Sequence, residues 1–158
     1  MSIQYSAPEV MEMAVQTEKG GKAFYEAVAA QTRDEQLKSL FRFLAHEESK
    51  HIAVFEDIAR SVKVSPAEEP YNWEDVVPYL RSVTESRYFL GPDKALSLAQ
   101  ESRDSATALG HALAFEKETL VFYVQLRDMV SEHNRRVVDR LITEESAHVR
   151  KLAAMSRL

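Results

Sequence analysis

Glu48-Ser49-Lys50-His51 and Glu145-Ser146-Ala147-His148 are two copies of one word, a carboxylate followed three residues later by an imidazole. On a helix that spacing puts both groups on one face. A partner Glu precedes each word at nearly equal distance, Glu18 by 30 residues and Glu116 by 29. The partners keep similar company: Thr17-Glu18-Lys19 with Phe24-Tyr25, and Phe115-Glu116-Lys117 with Phe122-Tyr123. Four carboxylates and two imidazoles converging inside a helical bundle make a ligand set for two metal ions.

All four Glu stand where the apolar stripe of a helix calls for a hydrophobe. An isolated carboxylate there would be driven neutral, whereas two divalent cations balance four negative charges. Oxygen-rich donors with one imidazole per ion suit iron or manganese, or a mixed pair, rather than structural zinc, which favours Cys and His. Glu18 and Glu116 are assigned as terminal ligands. Glu48 and Glu145 are assigned as bridges, and His51 and His148 as one cap per metal. Tyr25 and Tyr123 lie two turns beyond Glu18 and Glu116 on the same face. As a pair they are read as hydrogen-bond donors to the ligand carboxylates; a core Tyr packed for area is the alternative. Glu47, Glu144, His46, His111 and His133 are expected to face solvent, and Glu118 to point away from the core. The Phe residues on the helix faces are read as core filler. One such Glu-x-x-His word alone is usually an exposed polar pair; the doubling, the inward register and the matched partners carry the metal reading.

Four long helices must position these residues. The periodicity predicts them over 7–30, 33–62, 104–130 and 135–156. Ser6-Ala-Pro-Glu9 and Thr32-Arg-Asp-Glu35 read as capping boxes for the first two. Met11, Val15, Glu18, Tyr25 and Val28 share the inner face of the first. Leu37, Leu40, Phe41, Leu44, Glu48, His51, Phe55 and Ile58 do so in the second. Leu109, Leu113, Glu116, Leu120 and Tyr123 follow in the third, and Val138, Leu141, Glu145, His148 and Leu152 in the fourth. Gly20-Gly21 interrupts the first helix at roughly 1 kcal/mol per Gly relative to Ala. Packing must override that cost, or a neighbour must come close to the backbone there. The short link between the first two helices makes them antiparallel neighbours. Residues 63–103, punctuated by Pro66, Pro70, Pro78 and Gly91-Pro92, read as a crossover with short helices at Trp73–Ser86 and Asp93–Gln100. Residues 14–25 align without a gap on 112–123, so the two hairpins form a repeat related by a pseudo-twofold axis.

The bulk composition narrows the function classes. A chain of 158 residues with 45% hydrophobic content is expected to be one domain, 1–158, with a real core. Four Gly and five Pro argue against an all-β or disordered chain. A net charge of −5 without a basic stripe disfavours nucleic-acid binding. No apolar run has membrane-spanning length, and the polar N-terminus does not read as a signal peptide. The absence of Cys excludes disulfides, iron–sulfur clusters, thiolate zinc sites and Cys nucleophiles, and fits a cytoplasmic protein.

Over essentially its whole length the chain resembles the rubrerythrin-type branch of the ferritin-like superfamily. Glu18 with Phe24-Tyr25, Glu48-x-x-His51, Glu116-Lys117 with Phe122-Tyr123, and Glu145-x-x-His148 carry the resemblance. It implies an all-α, ferritin-like four-helix bundle with a di-iron centre. Typical members reduce hydrogen peroxide, acting with a rubredoxin-like iron centre. Two departures matter here. Without Cys there is no rubredoxin module, so electrons have to come from a separate donor protein, rubredoxin-like or a reductase. Thr119 stands where typical members carry an additional carboxylate, which brings the site nearer the symmetric, ferroxidase-type arrangement. The expected function is peroxide reduction by a homodimer, with oxygen as the other candidate oxidant. The alternatives are ferroxidase or iron handling, and a metal-binding helical module without catalysis. A storage cage is the less expected form, since no fifth helix follows the fourth.

Overall fold

The computed structural model describes residues 7–61, 73–89 and 91–157. Within them lie six helices and no strand: α1 (Ala7–Gln31), α2 (Glu35–Ser61), α3 (Trp73–Glu85), α4 (Pro92–Glu101), α5 (Ser105–Met129) and α6 (Glu132–Met155). α1 and α2 pair as one hairpin and α5 and α6 as the other, and the four long helices form a bundle. The stripes follow the sequence spacing. In α2 the buried side chains are Leu37, Phe41, Leu44, Ala45, Glu48, His51, Phe55 and Ile58, at steps that keep to one face. Leu40, Leu113 and Leu120, expected inward, are only partly buried.

Capping sets the helix ends, and two ends of the long helices differ from the expected boundaries by more than one residue. α2 begins at Glu35 because Asp34, not Thr32, caps it. The Asp34 carboxylate accepts from the backbone N–H of Gln36 (3.0 Å) and Leu37 (3.1 Å). Thr32 Oγ1 accepts from the Asp34 N–H instead. α6 starts three residues before the expected Arg135, because Ser131 caps it by accepting from the Asn134 N–H. The joint between α5 and α6 is therefore only Val130 and Ser131, both extended. The capping box at Ser6 and the first part of the crossover, with Pro66 and Pro70, lie outside the described residues. Gly91-Pro92, read as a turn, instead opens α4: Gly91 is its N-cap and Pro92 its first residue.

Two apolar clusters fill the bundle, one at each end. The first holds Phe24, Tyr25, Leu37, Phe41, Leu44, Phe115 and Leu152, closed by Ala95, Leu98 and Ala99 of α4. The second holds Met11, Val15, Phe55, Ile58, Phe122, Tyr123, Val138 and Leu141, closed by Val76 and Leu80 of α3. Each fully buried Phe or Leu contributes about 1.5–3 kcal/mol relative to exposure. The two short crossover helices thus cover opposite ends of the core. Gln31 fixes one of them, donating to the carbonyls of Ala99 (2.7 Å) and Ser102 (3.1 Å). Between the clusters is a polar waist made of Glu18, Glu48, His51, Glu116, Glu145 and His148, each 2% exposed or less.

Candidate metal centre

One helix of the bundle supplies each Glu, and α2 and α6 add the histidines. Their donor atoms gather in two groups. Glu18, Glu48, His51 and Glu145 form one, and Glu116, Glu145 and His148 the other. Glu145 belongs to both: Oε1 lies 2.7 Å from His51 Nδ1 and Oε2 lies 3.1 Å from His148 Nδ1. The two imidazoles stack 5.8 Å apart, one for each group. His51 Nδ1 is also 3.5 Å from both Glu18 and Glu48. All six residues assigned as ligands are therefore brought together. The expected symmetry is broken at the bridges, since Glu145 spans both groups and Glu48 stays with the first.

The surrounding residues break it further. Tyr25 crosses between hairpins and donates its hydroxyl to Glu116 Oε1. Tyr123 does not mirror this, although the pair was expected to act alike. Its hydroxyl is buried without a partner, and its ring packs 4.9 Å from Phe55. The carboxylate it would meet, Glu18, is turned toward Glu48 and His51 instead.

Glu144, expected to face solvent, is half-exposed but places Oε2 2.9 Å from His51 Nε2. That contact turns Nδ1 inward. Its repeat partner Glu47, also expected in solvent, is only 15% exposed and bonds Lys50 at 2.6 Å. Lys50 corresponds to Ala147 in the second word, so Glu144 has no such neighbour three residues on. The repeated Glu-Glu before each x-x-His was the available signal. His46 and His133 are exposed as expected. His111 is not fully so: its Nδ1 lies 2.9 Å from the buried Ser102 hydroxyl. Phe43 departs from its reading as core filler, being 40% exposed with its ring perpendicular to that of His148, centroids 6.2 Å apart.

Close packing accounts for the second glycine of the Gly20-Gly21 pair. A Cβ there would lie 2.7 Å from Phe115 Cζ and 3.0 Å from Glu48 Oε1. The missing side chain lets a ring and a waist carboxylate approach the α1 backbone.

The rubrerythrin family profile matches residues 9–156. The chain belongs to the rubrerythrin family. A solved structure described as a ferritin-like diiron-carboxylate protein, from Thermotoga maritima, shares the fold with a TM-score of 0.66 and 20% identity. The match covers 99% of this chain and 98% of that one. No curated protein matches the chain. Among the described residues no helix is long and apolar enough to cross a membrane.

The donor set of this rubrerythrin-family chain fits a metal pair on its own chemistry. Both oxygens of Glu18, Oε2 of Glu48, Oε2 of Glu116, Oε1 of Glu145 and Nδ1 of His51 are buried without an aligned hydrogen-bond partner. Such groups cost free energy unless something receives their lone pairs. Burial, then mutual repulsion, pushes Glu48 and Glu116 well above the usual carboxylate range. Burial also raises Glu18. Burial acts against charge on His51, yet contacts with Glu145, Glu18 and Glu48 outweigh it and raise its pKa. For Glu145 burial is likewise outweighed, by His148, His51 and Glu116, and its pKa falls.

Proposed function

We propose that the protein is a non-haem di-iron redox protein that reduces hydrogen peroxide with electrons from a separate donor protein. One observation carries the reading: Glu145 spans two groups of buried donors, each with its own imidazole. When bound there, a diferrous pair supplies one electron per iron, matching H2O2 + 2H+ + 2e− → 2H2O. Glu18, Glu48 and His51 would hold one ion, Glu116 and His148 the other, with Glu145 between them. Burial and then the charge of Glu116 raise the Tyr25 hydroxyl well above its ordinary value. It therefore keeps its proton and holds Glu116 in a fixed orientation. The Glu144 carboxylate holds the far nitrogen of His51 and so fixes which nitrogen faces the centre. Electrons arrive from outside, since the chain has no Cys for an iron–sulfur relay.

Anaerobic reconstitution with iron, followed by titration with peroxide and with oxygen, tests this. Two irons per chain and faster oxidation by stoichiometric peroxide than by oxygen are expected. Oxidation by oxygen at an equal or greater rate would overturn peroxide reduction. It would favour ferrous-ion oxidation, the second reading, which Thr119 supports by placing no carboxylate in the position where typical relatives carry one. Manganese retained in preference to iron would overturn the di-iron assignment. We take the assembly to be a homodimer; gel filtration giving a 24-subunit particle would instead favour iron storage.

A further inference from the structure

The internal repeat is broken most consequentially beside the waist. Residues 14–25 align on 112–123, so Thr17 corresponds to Phe115 and Gly21 to Thr119. On one side of the centre the large member of one pair meets the small member of the other. Phe115 covers Gly21 so closely that a Cβ would clash. On the other side the corresponding residues are Thr17 and Thr119, and neither has a ring to offer. Both are buried, at 3% and 4% exposure, and both line a cavity of about 350 Å³. Thr17 adjoins Glu18, and Thr119 lies one turn beyond Glu116 on the same face. The cavity therefore approaches the polar waist from this side, whereas Phe115 fills the matching place on the other.

Its walls say what it takes. Val83 of α3, Phe89, and Val121 and Phe122 of α5 make the sides apolar. The buried hydroxyls of the lining are those of Thr17, which donates to the Met13 carbonyl (2.8 Å) and so is left to accept, and Thr119. Tyr79, Ser82, Ser86 and Tyr88 add hydroxyls from α3 and the turn after it, with Ser82 donating to the Tyr79 carbonyl and Ser86 to Glu118 at 2.6 Å. Lys117 and Glu118 balance in charge there, and four carboxylates stand beyond the inner end. An anion is therefore disfavoured in the metal-free protein. The volume is about ten times the ~30 Å³ share of a water molecule, far more than peroxide or oxygen requires. It falls in the range of pockets that hold small organic molecules.

We infer that this cavity between α3 and α5 is a binding site for a neutral, largely apolar organic molecule with one hydroxyl-type polar end, held beside the carboxylate–histidine waist. This goes beyond the redox reading and does not depend on it. The Thr17 hydroxyl, its proton held by the Met13 carbonyl, accepts from the polar end beside Thr119, and α3 forms the outer wall.

The test is calorimetric titration of the full chain, metal-free and iron-loaded, with the linear primary alcohols from butan-1-ol to decan-1-ol. One saturable site is expected, with affinity rising with chain length until the cavity is full. The methyl resonances of Thr17, Val83 and Thr119 should shift on binding. Thr17→Phe supplies the ring that the repeat lacks here, and Val83→Trp fills the cavity from the outer wall. Each should weaken binding by about tenfold or more. If Thr17→Phe fails to fold, Val83→Trp decides. No saturable binding at any length, shifts confined to other residues, or undiminished affinity in a folded variant would overturn the inference. Because the metal-free chain is read as well, a failure here leaves the peroxide reading standing. Failure of iron reconstitution likewise leaves this test intact.

Discussion

At the scale of single residues the centre depends on what is missing as much as on what is present. Gly21→Ala would improve helix propensity by roughly 1 kcal/mol. It would also press a Cβ against Phe115 and Glu48, and overpacking typically costs about 1–3 kcal/mol. The crowding should win, for a net loss of up to about 2 kcal/mol in urea unfolding. A stabilised variant would mean that the Phe115 ring moves aside freely. Glu144→Gln removes the charge that faces His51 Nε2, and iron affinity should fall by about tenfold. Glu47→Gln should have a smaller effect, because Lys50 holds that carboxylate; equal losses would show that contact with His51 is not what matters. The six waist residues were legible because each breaks an apolar stripe at helical spacing. Glu144 was not, because a residue one position before an inward Glu leaves that face of its own helix. In a bundle the neighbouring helix can still be waiting there.

At the scale of elements, the four long helices could be read from steps of three and four residues. Their ends could not be read as well, because neighbouring polar residues compete to cap. Thr32 fits the capping-box pattern, yet Asp34 reaches two backbone N–H groups and takes the role. Ser131 similarly brings the start of α6 forward to Glu132. Ser131→Ala should therefore cost about 1 kcal/mol, with amide exchange accelerating in the first turn of α6. Protection unchanged from Glu132 to Arg135 would mean that packing, not the cap, defines this end. The crossover was legible as a connection but not as a covering. Only the fold shows α4 closing one apolar cluster and α3 the other. The cavity depends on α3 in particular, and nothing in the repeat alignment says which face α3 would wall.

At the scale of the whole molecule, an all-but-symmetric bundle holds more like charge than its core tolerates, and pH should show it. Burial, then repulsion, places Glu48 and Glu116 well above their ordinary 4.5. Glu18 is raised as well, chiefly by burial. His51 is raised above its ordinary 6.5, its carboxylate neighbours outweighing burial. Above about pH 4.5 the folded, metal-free chain therefore binds more protons than the unfolded chain. The stability contributed by the three carboxylates is complete below their unfolded value and is lost as pH rises through their folded ones. His51 behaves the same way above 6.5. Glu145 runs in the opposite sense: with its folded pKa lowered, its contribution is present above 4.5 and is lost only as pH falls below that. Between about pH 5 and pH 8 the raised groups dominate, so the metal-free protein should melt at progressively lower temperature. Divalent metal displaces those protons, so its affinity should rise with pH and its stabilisation should be largest where the metal-free chain is weakest. Glu48→Gln removes one of the raised carboxylates. It should flatten the metal-free profile and raise its alkaline end, while weakening metal binding. A metal-free melting temperature that stays level or climbs from pH 5 to pH 8 would mean that these carboxylates do not share one dry pocket.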